Sequence, residues 1–394
     1  MLPKALNTKA LSSVPCFAIA GDRFVSEFVC QWNIRTSIIT THHAHVATLF
    51  NLRKIIADDK LKNDIASSEI YDTSVSQWNT TGSMTVPREY HTATLLNTGK
   101  VLVTGGMSND AYQANCEIYD PSTGLWNAAK NMGIPRAFHT ATLLNSGKVL
   151  VIGGSTFGTS AVTSSEIYDP SRDTWSPTAN MSIPRSSHTA TLLNSGKVLV
   201  TGDAASSEIY DPSTGQWDSP VIMAIARSNP TATQLQSGKV LVTGGVESAN
   251  YLASSEIYDP SIDQWDTTTS MAIARRFHTA ILLRSGKVLV TGGVGYSDFL
   301  ASCEIYDPTT GRWKNVTSMT AERSSHTTTL LKSGKILATA GYGYTGYLDS
   351  SEIYDPSTGN WSPTENLSTT RASHTATMLN SGKVLVTGGE RLGS

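Results

Sequence analysis

Arginine and histidine recur three residues apart along most of this chain, and the pairing raises the question of metal or acid–base chemistry. The arginines share one position of a repeated pattern: Arg88, Arg136, Arg185, Arg227, Arg275, Arg323 and Arg371. Histidine follows at six of the seven places, and proline at the other: His91, His139, His188, Pro230, His278, His326 and His374. Because imidazole is a frequent metal ligand, six such residues suggest a metal site.

The repetition itself argues against that metal site. Side chains at equivalent positions of a closed repeat array surround its axis, and they are too far apart to share one ion. We expect each arginine to lie near the glutamate of a recurring Glu-Ile-Tyr-Asp phrase, and each histidine to form local hydrogen bonds. The seven glutamates, of which Glu69 is the first, are predicted to brace neighbouring repeats rather than to act as catalytic carboxylates.

The cysteines offer no recognisable redox or metal-binding pair. Cys16, Cys30, Cys116 and Cys303 form no Cys-x-x-Cys motif. Cys116 and Cys303 both precede Glu-Ile-Tyr-Asp, where other repeats carry serine, so we expect them to occupy the same small slot in different repeats. No Ser-His-Asp order, phosphate-binding loop or paired metal motif stands out above the repeat. The sequence therefore predicts no catalytic residue, no metal ligand and no cofactor.

An internal repeat indicates which secondary-structure elements position these residues. The phrase Ser-Gly-Lys-Val-Leu-Val-Thr-Gly-Gly recurs with small changes, and its lysines are 48 or 49 residues apart, except for one step of 42. All eight tryptophans share one position, nine residues after the glutamate of each Glu-Ile-Tyr-Asp phrase where that phrase is present: Trp32, Trp78, Trp126, Trp175, Trp217, Trp265, Trp313 and Trp361. A large residue confined to one position predicts one large socket per repeat.

Each repeat predicts four β-strands and no helix. His-Thr-Ala-Thr-Leu-Leu alternates in polarity, whereas Lys-Val-Leu-Val-Thr is an apolar run suited to a strand buried on both faces. Glu-Ile-Tyr is the third strand, and the segment that begins at tryptophan is the fourth. Asn-Ser-Gly and Asp-Pro-Ser-Thr-Gly are tight-turn sequences. Since one such sheet cannot bury both its faces alone, we expect the sheets to stack radially.

A double glycine after an apolar run, followed by a spaced tyrosine and tryptophan, resembles the kelch repeat. The resemblance extends over about residues 42–389 and implies an all-β, kelch-type β-propeller, most often of six or seven blades. Seven complete tyrosine–tryptophan halves are present, and an eighth first half ends the chain. We predict seven four-stranded blades closed by this C-terminal half-repeat, with 371–389 pairing with strands at about 67–80.

The N-terminal region leaves another closure open. The segment that begins at His45 aligns without gaps to the one that begins at His374, although an Asp-Asp pair replaces the double glycine. In this alternative, 42–60 keeps its place in the ring, and 371–389 dangles or begins an eighth blade. Closure by 371–389 is favoured because its turn sequences are better and because closure removes exposed strand edges.

The domain organisation and location follow from the remaining sequence. Residues 1–41 match no repeat convincingly and are predicted to be a poorly ordered extension, which leaves 42–394 as the propeller. The first 20 residues only partly resemble a secretory leader, because Ser12, Ser13 and Pro15 interrupt the apolar segment. A cytoplasmic location is favoured slightly over a secreted one, and the compartment otherwise stays open.

Propeller connectivity divides the loops between two faces. The Asn-Ser-Gly and Asp-Pro-Ser-Thr-Gly turns lie on the short-turn face, and the longer, variable connections lie on the opposite, variable-loop face. Exposed aromatic residues on variable loops are typical of binding surfaces. The candidate partner-binding residues are Tyr112, Phe157, Tyr251, Tyr296, Phe299, Tyr342, Tyr344 and Tyr347. In a structural alternative, Tyr251, Phe299 and Tyr347 pack over the blade edge.

Three functions are compatible with these features. The first is a non-catalytic scaffold that binds a protein partner on the variable-loop face, a role the kelch resemblance implies. The second is a carbohydrate-binding or sugar-processing propeller, since aromatic loops suit sugar stacking. The third and least favoured is an enzyme similar to galactose oxidase, whose copper site needs two tyrosines, two histidines and a cysteine cross-linked to one tyrosine. Near-identical blades offer few singular residues for catalysis, which favours the scaffold.

Composition narrows the range of partners. The formal net charge is −2, and lysine and arginine form no basic run, which argues against nucleic acid and acidic membranes. No apolar stretch approaches the roughly 20 residues of a membrane-spanning helix. We therefore expect a monomeric propeller with a protein partner, and carbohydrate as the alternative ligand.

Overall fold

A computed structural model of the protein describes residues 62–392, in which every regular element is a β-strand. The strands form seven antiparallel sheets of four, which confirms the predicted seven-bladed kelch-type β-propeller. Nothing helical in this part of the chain has the length and apolar character needed to cross a membrane. The predicted extension 1–41 and the degenerate repeat 42–60 lie outside the described residues.

We number the blades along the chain and their strands outward from the axis. Blade 1 comprises Thr92–Leu95, Val101–Thr104, Cys116–Asp120 and Leu125–Ala129, and blade 2 comprises Thr140–Leu143, Val149–Ile152, Ser165–Asp169 and Thr174–Thr178. Blade 3 comprises Thr189–Leu192, Val198–Thr201, Ser206–Asp211 and a fourth strand in two pieces, Gln216–Trp217 and Val221–Ile222. Blade 4 comprises Thr231–Gln234, Val240–Thr243, Ser255–Asp259 and Gln264–Thr268.

The next two blades continue the pattern. Blade 5 comprises Thr279–Leu282, Val288–Thr291, Cys303–Asp307 and Arg312–Val316. Blade 6 comprises Thr327–Leu330, Ile336–Gly343, Gly346–Asp355 and Asn360–Thr364, and its two middle strands extend into the variable-loop face. Shorter hairpins lie on the same face in blades 1 and 4, namely Met107–Ser108 with Ala111–Tyr112, and Val246–Glu247 with Asn250–Tyr251.

Blade 7 joins the two ends of the described chain. Its inner strands, Thr375–Met378 and Val384–Thr387, come from the C-terminal half-repeat, and its outer strands are Ser68–Asp72 and Gln77–Thr80. The predicted closure by 371–389 is therefore confirmed. A short ribbon, in which Lys62–Asp64 pairs with Glu390–Leu392, adds to the same seam.

Apolar clusters between neighbouring blades form the core. Between blades 1 and 2, Leu102 packs with Val149 and Tyr168, and Trp175 covers the cluster from the fourth strand. The Tyr168 and Trp175 ring centroids are 5.0 Å apart, and the Trp175 indole N–H donates to the Lys130 carbonyl at 2.8 Å. Equivalent clusters fill the other blade boundaries, so the repeated tryptophan does occupy one socket per blade.

The buried arginines tie each incoming connection to its blade, as the sequence predicts. Arg88, which is fully buried, donates to Glu117 at 2.9 Å and to the Gly105 carbonyl at 2.8 Å. Glu117 also accepts the backbone N–H of Thr85 at 2.7 Å. The remaining pairs are Arg136–Glu166, Arg185–Glu208, Arg227–Glu256, Arg275–Glu304, Arg323–Glu352 and Arg371–Glu69.

The double glycine provides room for the same connection. Gly105 and Gly106 have φ values of +59° and +98°, which favour glycine over other residues. A Cβ atom on Gly106 would lie 2.6 Å from the Glu89 carbonyl oxygen, so a larger residue would displace the connecting backbone.

Candidate functional site

Seven residues in the left-handed backbone region surround the axis on the variable-loop face. They stand between the repeated arginine and histidine and just before the innermost strands, which contact one another around the ring. They are Tyr90, Phe138, Ser187, Asn229, Phe277, Ser325 and Ser373, with φ between 49° and 56°. Backbone hydrogen bonds join several of them from blade to blade, such as Ser187 N–H to Phe138 O at 3.0 Å. We call these seven residues the axial ring.

The axial ring brings aromatic side chains to the centre of the face, and the sequence analysis did not single them out. Tyr90 stacks on Phe138 with ring centroids 4.1 Å apart, and Phe277 is exposed. The signal in the sequence was the contrast between the repeated Arg–x–x–His pattern, which holds in six of seven repeats, and the two residues inside it, which differ in nearly every repeat. Non-glycine residues at positive φ are concentrated at functional sites, which supports a role for this ring.

Two of the predicted partner-binding residues form an isolated pair. Tyr112 from the blade 1 hairpin meets Phe157 from the blade 2 loop edge-to-face, with ring centroids 5.3 Å apart. Phe157 is 63% exposed, and Tyr112 is half-buried. The pair therefore lies at one blade boundary of the variable-loop face.

The other predicted aromatics begin a longer series at the boundary of blades 4 and 5. Tyr251 and Tyr296 have ring centroids 5.1 Å apart, and the Tyr296 hydroxyl donates to the Tyr251 carbonyl at 3.2 Å. The Arg276 guanidinium lies 5.1 Å from the Tyr251 ring and 4.8 Å from the Phe277 ring, within the range of cation–π attraction. This contact connects the series with the axial ring.

The series continues across blades 5 and 6. Phe299 meets Tyr342 and Tyr344 edge-to-face, with ring centroids 5.4 and 5.5 Å apart. The Tyr344 hydroxyl donates to the Asp298 carboxylate, and desolvation together with this bond raises the pKa of Tyr344 to about 12. Tyr342 in turn contacts Tyr347 at 4.9 Å.

The series ends on an acidic residue of the closing seam. The Tyr347 hydroxyl donates to Glu390 at 3.0 Å, and Glu390 also accepts from Ser373 of the axial ring at 3.0 Å. Burial, followed by the nearby Glu390 carboxylate, raises the pKa of Tyr347. We call Tyr251, Tyr296, Phe299, Tyr342, Tyr344 and Tyr347 the aromatic arc.

The candidate residues differ in exposure. Tyr296 is 61% exposed and Tyr344 is 51% exposed, so each presents a large aromatic surface to solvent. Tyr251, Phe299 and Tyr347, for which the sequence left a packing role open, are half-buried and support their neighbours. Blade 3 adds no long loop to the variable-loop face, because the connection between its second and third strands is only a few residues long after Gly202.

The repeated histidines do not converge on a metal. Each Nε2 atom instead meets the hydroxyl of a threonine in the preceding blade, as His278 meets Thr231 at 2.9 Å. These bonds cross blade boundaries and are not local, which differs from the sequence expectation, because the innermost strands lie side by side. Burial, and then the Arg275 charge, lower the pKa of His278 to about 3. Within residues 62–392, no three His, Cys, Asp or Glu side chains are arranged to hold a metal ion.

The described residues also do not fit a copper centre of the galactose oxidase kind. Cys116 and Cys303 are buried in their blades, and their thiols donate to the carbonyls of Ala114 and Ala301 at 3.5 Å. Burial raises the pKa of Cys116 to about 12 and that of Cys303 to about 11, which disfavours the thiolate. Neither thiol belongs to the aromatic arc, so we derive no step through copper.

Comparisons with known proteins support the kelch-type propeller fold. The kelch-repeat domain model described as KLHDC2/KLHL20/DRC7 matches residues 56–203 and 203–389. Among solved structures, a copper-bound fungal alcohol oxidase of the AA5 family superposes with a TM-score of 0.60 and 22% identity, over 70% of this chain and 63% of that one. The structure of YjhT superposes with a TM-score of 0.57 and 14% identity, over 71% of this chain and 98% of that one.

At these identities, the two structures indicate a shared fold alone, and the chain spans less than two thirds of the oxidase. Comparison with curated protein sequences gives no match. The family model, in contrast, covers nearly all of the described repeats. The chain belongs to the kelch-repeat domain family, whose propellers commonly serve as protein-interaction scaffolds.

Proposed function

We propose that this protein is a non-catalytic scaffold that binds a protein partner on the variable-loop face. The observation that carries the proposal is the aromatic arc, whose contacts cross the boundaries between blades 4, 5, 6 and 7. Exposed tyrosine and phenylalanine supply large contact areas at low conformational cost, and such residues are enriched at the centres of protein interfaces.

The arc is held in place before any partner arrives. Tyr296 is tied to the Tyr251 carbonyl, Tyr344 to Asp298 and Tyr347 to Glu390. Side chains that are already ordered lose less rotational freedom on binding, so a larger share of the contact energy appears as affinity. The half-buried members of the arc support the exposed rings in this arrangement.

The proposal is tested by a triple substitution of Tyr251, Tyr296 and Tyr344 by alanine. We expect partners captured by the parent protein from a native extract to be lost or weakened by at least about 30-fold, because truncating even one hot-spot aromatic costs about 2 kcal/mol or more. Capture is measured by quantitative mass spectrometry, followed by titration with the purified partner. Circular dichroism checks that the variant keeps its fold.

A matched control removes three exposed apolar side chains from the short-turn face. Val75, Leu125 and Ile262 are 59%, 59% and 57% exposed, and their replacement by alanine should leave capture unchanged. Equal loss in both variants would contradict a specific variable-loop interface. A glycan array in which the parent binds a sugar that the tyrosine variant does not, with no protein captured, would replace the proposal by a carbohydrate-binding function.

A further inference from the structure

Blade 5 departs from the repeat on the short-turn face, opposite the proposed partner site. The residue before its tryptophan is Arg312, where the other blades have Gln, Leu, Thr or Asn, and the residue after it is Lys314, where they have Asn, Ser or Asp. Arg284 occupies a turn position that is Asn in four blades. Blade 5 therefore carries three cations here. Two of them, Arg312 and Lys314, occupy positions that are neutral or acidic in every other blade, whereas blade 6 has Lys332 at the position of Arg284.

These three cations border one groove between blades 5 and 6. The groove has a volume of about 740 Å³ and lies between the turns of the two blades. Its apolar lining includes Leu283, Ile305, Trp313, Val316 and Tyr354. A smaller recess of about 280 Å³, between blades 4 and 5, shares part of its wall.

The groove carries an excess of positive charge. Two carboxylates line it, and both are already paired, Asp307 with Lys287 at 2.9 Å and Asp355 with Lys335 at 3.0 Å. Arg284, Arg312 and Lys314 also line the groove and are exposed, and none of them forms an ion pair within residues 62–392. Since the chain as a whole has a formal charge of −2, this excess is local.

A structural role accounts for only one of the three cations. Arg284 donates to the Lys332 carbonyl in the next blade at 2.6 Å, and Gln236 makes a comparable bond to the Arg284 carbonyl at 3.4 Å. The side chains of Arg312 and Lys314, in contrast, form neither a hydrogen bond nor an ion pair in the part of the chain that the structure describes. They are available to a ligand.

We propose that the groove between blades 5 and 6 binds an acidic peptide segment of a partner protein. Carboxylates of the peptide would meet Arg284, Arg312 and Lys314. An apolar side chain between them would cover Ile305, Trp313 and Val316, which are the half-buried part of the lining. Charge complementarity favours an anionic ligand. The apolar lining favours a peptide with a hydrophobic residue over a uniformly charged polymer. This site is separate from the aromatic arc and does not depend on it.

The probe is a fluorescein-labelled ten-residue peptide of alternating Glu and Phe, titrated with the full chain and followed by fluorescence anisotropy. The groove variant is R312Q/K314N, which installs residues that other blades carry at these positions. We expect its affinity for the probe to fall by at least about tenfold, because hydrogen bonds to charged groups are among the stronger polar contacts. Raising the salt concentration should weaken binding by the parent.

The control variant is K130A/R172T, which removes the same charge from exposed positions of blades 1 and 2 and also installs residues found in other blades. Unchanged probe affinity in this control supports the proposal. Equal weakening in both variants, no binding of the Glu/Phe probe, or equal binding of a Lys/Phe peptide would overturn it. Tighter binding of single-stranded RNA or heparin than of the probe would also overturn it, in favour of a polyanion. The tyrosine triple variant should bind the probe normally, so the two proposals can fail separately.

Discussion

At the scale of single residues, the most demanding feature is a fully buried charge in every blade. Arg275 has no exposed surface, and it donates to Glu304 at 2.9 Å, to the Gly292 carbonyl at 2.8 Å and to the Ser302 carbonyl at 3.0 Å. Burial lowers the pKa of this guanidinium, and the Glu304 charge opposes that shift. The ion pair is therefore tolerated because nearly every donor has an acceptor.

Removing one member of this pair should be costly. We expect Glu304→Ala to lower the free energy of unfolding by about 3–5 kcal/mol, because it leaves Arg275 charged and buried without its carboxylate. Lys287→Ala breaks the exposed Lys287–Asp307 pair and should cost less than about 1 kcal/mol. Urea unfolding followed by tryptophan fluorescence compares the two. Similar losses in both variants would show that the buried pair is not a specific stabilising element.

Residue types alone predicted part of the candidate site. The Arg–Glu pairs could be predicted because an arginine and a glutamate recur in every repeat, and a buried charge needs a partner of opposite charge. The hydrogen bonds from each histidine to a threonine of the preceding blade could not be predicted, because they depend on the distance between the innermost strands of adjacent blades. The basic groove was also missed, since Arg284 and Arg312 are distant in sequence and form no charged run.

At the scale of strands, the innermost layer carries a set of uncharged histidines. Burial, and then the neighbouring arginine, hold the pKa of His91 and of His188 at about 3, and the other buried histidines shift in the same direction. Their Nε2 atoms join the first strands of adjacent blades through threonine hydroxyls. Keeping these rings neutral is therefore part of how neighbouring strands stay together.

This arrangement predicts acid sensitivity. Above pH 6.5 the histidines are neutral in both the folded and the unfolded chain. As the pH falls from about 6.5 towards 3, the unfolded chain binds protons that the folded chain does not, so stability decreases by about 1.4 kcal/mol per pH unit for each histidine. Urea midpoints at pH 7.5, 6.5, 5.5 and 4.5 measure this slope.

Replacement of His278 and His326 by glutamine provides the comparison. Because two of the six buried histidines in residues 62–392 are removed, their contribution to the pH dependence of the unfolding free energy should decrease by about a third. A midpoint that stays constant between pH 6.5 and 4.5 in the parent would contradict the prediction. An identical slope in the variant would assign the acid sensitivity to other groups.

Strand positions could be predicted because every repeat contains both an apolar strand sequence and glycine-containing turns. The apolar Val-Leu-Val run identifies the strand that is covered by both neighbours, and the Gly-containing turns mark where strands end. The placement of Tyr251, Tyr296 and Tyr344 on one face followed from the same connectivity. The contacts among these tyrosines could not be predicted, since they depend on loop conformations that differ between blades.

At the scale of the whole propeller, stability depends on a seam in which distant parts of the sequence share one sheet. Ser68–Asp72 pairs with Val384–Thr387, so that residues more than three hundred positions apart are direct neighbours. An apolar cluster also covers each side of this blade. The closed blade 7 therefore completes one sheet and two apolar interfaces.

A chain that ends after Thr370 should lose this closure. Without Thr375–Met378 and Val384–Thr387, Ser68–Asp72 becomes an exposed edge, and the apolar surfaces of blades 1 and 6 are uncovered. We expect a lower urea midpoint and aggregation in size-exclusion chromatography. A chain that ends at Leu392 is the control and should behave as the parent does. A monodisperse truncated protein with the parental midpoint would contradict the role of the seam.

The axial ring also has a consequence for how such a protein can diversify. Main-chain atoms make the bonds that join its residues from blade to blade, so the side chains at these places need not be complementary to one another. Tyrosine, phenylalanine, serine and asparagine all occupy the same backbone state. After duplication of a repeat, a single codon change here alters the centre of the proposed binding face while the backbone of the propeller stays the same. Variation in the axial ring can therefore change the surface of the variable-loop face without changing the fold.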